Sequence, residues 1–347
     1  MNNVKTSRQE IKNNAGNTMI LNPRNYLPIL GLALALLVPL IVKNPYYLGL
    51  INLVILFGAA GIAWNIVGGY ARQVSLGHSI FFGIGAYTTT LLQIKFNISP
   101  WIGMFFGGVF AVLIGILMGM SVFRMKGHYF AVFTIAYSYV MMLLFQKFRG
   151  LTGGAEGLSV PFHDGSFAMF QFSSKVPYYY IFLMALVLII FLVHRLGKSR
   201  IGYYWTAIGQ DEQAAMAIGI NIAMAKHLAL GISAFLTAIF GSFYAQYVYF
   251  IEPFSMFSTH MSVEIALVAI VGGLGTVMGP VVGAIVVKPI AELTNMFLGN
   301  VLPGANYALY GLILIVAIIV IPNGLIVPIN QLYQKLIKRL ERSSDRS

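Results

Sequence analysis

Few residues in this chain have the types and spacing for chemistry, and the familiar reactive arrangements fail on inspection. Gly197-Lys198-Ser199 carries the end of a phosphate-binding loop, but Leu192 stands where the first glycine belongs. Gly83-Ile84-Gly85 is followed by Thr88, where a dinucleotide fingerprint needs glycine. The histidines (His78, His128, His163, His194, His227 and His260) are too far apart to make a local ligand pair. Cysteine is absent, which excludes disulfides, thiol catalysis and thiolate metal sites. No catalytic, metal or cofactor site is expected, and the chain does not read as an enzyme.

What remains is a set of polar residues placed where backbone is expected to break. Gly68-Gly69 and Gly77 flank the polar run Arg72–Ser75, which includes Gln73, so helix is not expected to continue through it. At membrane depth, irregular backbone is tolerated only against protein or a water-filled cavity. The amides that open the next helix, after Gly77, are then expected to face an anionic group such as a carboxylate. His78 either lines that path or is a satisfied buried histidine. Gly272–Pro280, with Gly273, Gly275, Thr276 and Gly279, offers a second break. Ile66-Val67-Gly68-Gly69 and Ile270-Val271-Gly272-Gly273 echo each other as an internal repeat, parallel in the topology derived below. Thr152, Gly153, Gly154, Glu156 and Gly157 form a third cluster, read as an outer rim or gate.

The elements that must position these residues are membrane helices. Of 347 residues, 58% are hydrophobic and only 9% charged, with 36 glycines, 25 phenylalanines and a mean hydropathy of +0.80. One soluble globule of this size cannot hide that much apolar surface, which excludes a soluble enzyme, a DNA-binding domain and a disordered protein. The fold expected is an all-α polytopic transmembrane bundle of about ten segments, with eight or nine as alternatives, some short enough to be broken or re-entrant. The apolar runs are Leu27–Val42, Tyr46–Val67, His78–Ile94, Pro100–Phe123 and Tyr129–Phe145. They continue with Tyr178–His194, His227–Phe250, Met261–Val271, Val277–Leu298 and Ala305–Ile321. Leu27–Val42 has no small-residue cleavage pattern after it, so it reads as an uncleaved helix. The small-residue stripes Gly103, Gly107, Ala111, Gly115, Gly119 and Ser233, Thr237, Gly241, Ala245 are expected to bring helix backbones close. Lys288 and Glu292, four apart within one segment, are expected to neutralise each other.

The net charge of +12 then reads as topology. With both termini inside, sixteen of the 22 basic residues fall on the cytoplasmic side, five fall outside and Lys288 lies within a segment. This arrangement divides the chain into a cytoplasmic tail (1–26), a transmembrane domain (27–330) holding a cytoplasmic loop at 195–226, and a basic tail (331–347). Within that loop Ser199 is expected to cap a short helix presenting Ile201, Trp205 and Ile208, and Gly209-Gln210 to break it. Asp211 is expected to cap a second helix, Glu212 to Ile218, and Gly219 to end it in a left-handed turn. An apolar stripe on a loop in water is a docking surface, or else an interfacial helix on the bilayer.

The loop also carries a family resemblance. Ser199-Arg200-Ile201-Gly202, Ala207-Ile208 and Asp211-Glu212-Gln213-Ala214-Ala215-Met216-Ala217-Ile218-Gly219-Ile220 resemble the cytoplasmic loop of permeases of branched-chain amino-acid ABC importers, the LivM type. Gly69-Tyr70-Ala71-Arg72-Gln73-Val74-Ser75-Leu76-Gly77-His78 with Phe81-Phe82-Gly83-Ile84-Gly85-Ala86-Tyr87 is similar to that family's N-terminal signature. Leu151-Thr152-Gly153-Gly154-Ala155-Glu156-Gly157-Leu158 and Gly272-Gly273-Leu274-Gly275-Thr276 through Gly279-Pro280 match two further stretches, all in family order. Gly209-Gln210 replaces a usual basic-acidic pair, and Arg72 stands where glycine is common.

The resemblance implies a subunit of a bacterial inner-membrane importer for leucine, isoleucine and valine, with no ATP site of its own. It implies a second homologous permease, two ATPase subunits docking at Ser199, Gly202, Asp211, Glu212, Ala214, Ala215 and Gly219, and an extracytoplasmic substrate-binding protein. The glycine-broken stretches, including Gly83, Gly85 and Tyr87, are then candidates for the translocation path. A urea or short-amide importer permease is the nearest alternative. An ion-coupled secondary transporter would need mid-membrane acids, and only Glu264 and Glu292 come near.

Overall fold

The computed structural model describes residues 23–123, 125, 128–162, 165–298 and 324–344, with single residues between 308 and 319. The N-terminal tail to residue 22 and most of the run Ala305–Ile321 lie outside the described residues. The chain divides into two units: Tyr46–Ile326, and the two ends, Met1–Pro45 with Val327–Ser347. In the unit of the ends lie α1 (Pro23–Ile41) and nearly all of α12 (Ile326–Ser344), so the expected basic tail is helical through Ser344.

The larger unit holds α2 (Pro45–Asn65), α3 (Ser79–Phe96), α4 (Pro100–Val122), α5 (His128–Lys147) and α6 (Lys175–Gly197). The loop follows as α7 (Arg200–Gln210) and α8 (Glu212–Ala217), then α9 (Ile222–Val248), α10 (Thr259–Gly272) and α11 (Gly279–Leu298). Two short strands, β1 (Leu158–Ser159) and β2 (Phe250–Ile251), pair antiparallel. Helix starts follow local chemistry: Pro100 enters the first turn of α4, and the side chains of Ser174, Asn221 and Ser258 accept first-turn amides of α6, α9 and α10.

Six of the described spans are long and apolar enough to cross a membrane: Pro45–Tyr70, Pro100–Val122, Tyr129–Lys147, Lys175–Gly197, Ile222–Val248 and Pro253–Gly272. This makes the chain an all-α polytopic membrane protein. Helices α3 and α11 fall outside that set because three threonines, Gln93 and Lys95 dilute the first, while Lys288 and Glu292 charge the second.

Helix α3 is the centre of the larger unit, packed against α4 and α9. The small-residue stripes do the work expected of them. A Cβ at Gly85 would overlap the Ala238 carbonyl, and one at Gly241 would overlap the Phe82 carbonyl. A Cβ at Gly107 would stand 3.1 Å from the Gly85 Cα, so backbones touch along both faces of α3. Trp64, Phe81, Phe82 and Tyr87 fill the space around these contacts and are fully buried.

Lys288 does not pair with Glu292. Its Nζ lies 2.5 Å from Glu264 Oε1 on α10 and 3.7 Å from the ring centre of Phe57 on α2. A partner on the facing helix shields both charges inside protein, which a partner one turn along the same helix does not.

Candidate functional site

The first break begins inside α2. The helix widens to a π-turn at Ile66–Tyr70, where the Ala71 amide reaches back to Ile66 O, and Arg72 takes a left-handed φ of 50°. The extended stretch that follows is tied down from several sides. Trp64 Nε1 donates to Ser75 O at 2.7 Å, and the Leu76 amide donates to Thr134 Oγ1 at 3.0 Å. The Gly77 amide goes to Ser75 Oγ and the Ser79 amide to Ser262 Oγ at 2.8 Å. These partners correct the expectation that the amides after Gly77 face an anion. The Ser262 hydroxyl occupies the Ser79 amide and the Gly77 carbonyl the Ile80 amide, because burial in apolar surroundings penalises an amide without a partner.

His78 is the satisfied buried histidine. Ser233 Oγ donates to Ala63 O, so it must accept from His78 Nε2–H at 2.9 Å. Nδ1 lies 3.0 Å from Ser75 Oγ, so both ring nitrogens have hydroxyl partners. Gly83, Gly85 and Tyr87 lie in helix packing: Gly83 against Phe257, Gly85 against Ala238, and Tyr87 between Phe145 and Phe257.

The second break adjoins the first. Asn65, fully buried, accepts from the Gly275 amide at 3.0 Å and donates to Thr276 O at 2.7 Å. A Cβ on Gly69 would stand 2.5 Å from the Gly275 amide. The two breaks therefore meet at Gly69 and Gly275, not through the echoing pair Gly272-Gly273, which packs against Gly279, Gly283 and Gly324. Thr276 Oγ1 donates to Gly273 O and accepts from the Gly279 amide, capping α11. Gly272 meets Gly279 and Gly283 at the crossing of α10 and α11, and Pro280 packs beside Gly61.

The loop closes over this junction. Ser199 caps α7 through the Gly202 amide, and Asp211 Oδ1 accepts from the Gln213 and Ala214 amides at 2.7 and 3.0 Å. Gly219, at φ 86°, ends α8 while the Ile220 amide returns to Ala215 O. Gly209-Gln210 does not break the helix, which runs through Gln210 to Asp211. Gly209 instead allows close approach, since its Cβ would stand 2.7 Å from Tyr70 O and 3.2 Å from Arg72 Cγ. Between break and loop lies a cavity of about 610 Å³ walled by Gly69, Tyr70, Arg72, Thr206, Gln210 and Gly275.

The apolar stripe read as a docking face turns inward. Trp205 and Ile208 are buried, and Trp205 Nε1 donates to Ala225 O at 2.9 Å. Outward residues include Tyr203, Tyr204, Asp211, Ala214, Met216, Ile218 and Gly219, while Gly202 and Ala215 are buried. Glu212 also points inward. Its Oε1 accepts from Lys226 Nζ at 2.6 Å and from Gln73 Nε2 at 3.2 Å, joining loop, α9 and first break through one carboxylate.

The Thr152–Gly157 cluster lies at the other end of α9, whose 27 residues measure about 40 Å. Thr152 Oγ1 donates to Phe148 O, Arg149 pairs with Glu156, and Gly153, Gly154 and Gly157 all take positive φ. Gly157 fits against Ile251 O where β1 meets β2. Among the described residues no group of three or more His, Asp or Glu could hold a metal. Sequence reasoning missed Asn65, Thr134, Ser233, Ser262 and the role of Lys226. The available signal was their polarity within otherwise apolar runs.

Residues 46–319 match the model of a family described as branched-chain amino acid transport system / permease component. The chain is 26% identical, over 71% of its length, to the high-affinity branched-chain amino acid transport system permease protein LivM of Escherichia coli (strain K12), covering 63% of that protein. LivM of Salmonella typhimurium is 27% identical over 68% of this chain and 61% of its own. The chain thus spans less than two thirds of the length of both. The L-arabinose transport system permease protein AraH of Escherichia coli is 28% identical over 67% of this chain and 70% of its own. No solved structure matches. With its family model covering most of the chain, this protein belongs to the branched-chain amino acid transport system permease family.

Proposed function

We propose that the chain is the permease subunit of an ABC importer that carries leucine, isoleucine and valine into the cell. It hydrolyses no ATP itself and works with a second homologous permease, a pair of ATPase subunits and an extracytoplasmic binding protein. Both termini face the cytoplasm, in keeping with the basic residues concentrated on that side. The similarity to LivM supports the substrate class.

The observation that carries this reading is the Glu212 carboxylate bridging the loop to Gln73 and Lys226. The outward residues of α7 and α8 receive the ATPase, and closure of the ATPase pair moves the loop. Through Glu212 that motion reaches the break at Arg72–Ser75, and through Asn65 it reaches Gly275–Thr276. Nucleotide therefore biases the equilibrium between inward-open and outward-open states by binding one of them better. The cavity between loop and break is the inner mouth of the path. The Thr152–Gly157 rim is its outer border.

AraH supports a second reading, a permease for L-arabinose. Uptake assays decide. Cells producing this chain with the ATPases and binding protein encoded beside it are expected to accumulate labelled leucine, with isoleucine and valine competing. Accumulation of L-arabinose without leucine would replace the first reading by the second.

A further inference from the structure

At the α5 end near Glu252 lies a second, larger cavity of about 720 Å³ that nothing above uses. Its size falls within the range of about 300–1,000 Å³ typical of small-molecule sites. Three chemistries meet on its wall. Met142, Phe254 and Met261 supply apolar surface. Glu252 and Glu264 supply carboxylates, but Lys288 neutralises Glu264 at 2.5 Å, whereas Glu252 makes no ion pair among the described residues. Thr259, His260 and Met261 form the first turn of α10, whose dipole presents positive charge to the cavity, with the Met261 amide itself bonded to Ser258 Oγ.

We propose that this cavity is a stopping point for the carried solute, an L-α-amino acid with an apolar side chain; the proposal rests on the transport reading above. The ammonium group sits at Glu252, the carboxylate at the first turn of α10, and the side chain among Met142, Phe254 and Met261. An uncharged sugar has no cation for a lone carboxylate, no anion for a helix N-terminus and no apolar tail. A zwitterion with an apolar tail uses all three.

Because the chain has no cysteine, a single one reports on the cavity. In the assembled transporter, Ser255→Cys lines the cavity, Thr259→Cys is a second reporter should the first fold poorly, and Ala168→Cys is an exposed control. Leucine is expected to slow maleimide labelling at Ser255→Cys and Thr259→Cys but not at Ala168→Cys. L-Arabinose and 4-methylpentanoate, which lacks the ammonium, are expected to have no effect. Adding Glu252→Gln should raise the leucine concentration needed for protection by roughly tenfold, the loss of one charge-assisted contact. If the parent transports leucine yet labelling ignores it, the cavity is not the stopping point. If the parent does not transport leucine at all, the transport reading fails and this proposal falls with it.

Discussion

At the scale of single residues, Glu212 has the most to explain, because it lies on an otherwise outward loop and turns its carboxylate in. Lys226 is buried, with its Nζ 2.6 Å from Glu212, and Gln73 shares the same oxygen. Glu212→Gln keeps an acceptor for both but removes the charge that balances Lys226. About one third of the Glu212 side chain is exposed, so solvent limits the cost to about 1–2 kcal/mol. The variant is expected to insert, to retain its ATPases in a pull-down, and to lose leucine uptake while ATP hydrolysis continues. Met216→Asp and Ile218→Asp should do the reverse and release the ATPases, since both side chains face outward. Loss of ATPase binding by Glu212→Gln at full expression would put Glu212 in the docking face instead of the linkage. Asn65→Ala tests the other joint: it removes the acceptor of the half-buried Gly275 amide, at a cost of about 0.5–1.5 kcal/mol. A lower melting temperature in detergent is expected, and an unchanged one would mean that the two breaks are not held together there.

At the scale of elements, local chemistry was legible and pairing across the chain was not. The apolar runs match the helices within a few residues where both are described, because a membrane span is a property of composition over a short window. The caps at Ser199 and Asp211 and the left-handed Gly219 were equally readable, since each depends on residues within one turn. Hidden from any local pattern were the partners. Glu264 rather than Glu292 holds Lys288, and hydroxyls from Thr134 and Ser262 fill the amides left by the first break. The stripe of Trp205 and Ile208 was visible, but its periodicity does not say whether its own α9 or another protein covers it. The small-residue stripes were read as close packing, and the prediction at this scale follows from that packing. Gly85→Leu forces a side chain into the Ala238 backbone with no room to give, an overpacking cost of about 1–3 kcal/mol or more. Folded yield and melting temperature should both fall. Gly231→Leu on the same face of α9, where a Cβ meets only Val112 at 3.7 Å, should be tolerated.

At the scale of the whole molecule, the membrane orientation organises every other claim. The α7–α8 loop and the Thr152–Gly157 cluster sit at opposite ends of α9, so with α9 across the bilayer, as proposed, they lie on opposite sides of it. In the proposed topology, with both termini inside, sixteen of the 22 basic residues fall on the cytoplasmic side, which is the reason for assigning α7 and α8 to the cytoplasm. The proposed docking of separate ATPases carries its own expectation: the purified protein alone should hydrolyse no ATP. Orientation has its own direct test, again helped by the absence of cysteine. In intact cells Ala168→Cys, on the exposed stretch between α5 and α6, should react with a membrane-impermeant maleimide. Met216→Cys, on α8, should react only after the cells are opened. The reverse pattern would turn the molecule over, move the linkage at Glu212 outside and leave no place for an ATPase to dock. Labelling of both in intact cells would mean that α9 does not cross the bilayer, and the path proposed along it would have to be abandoned.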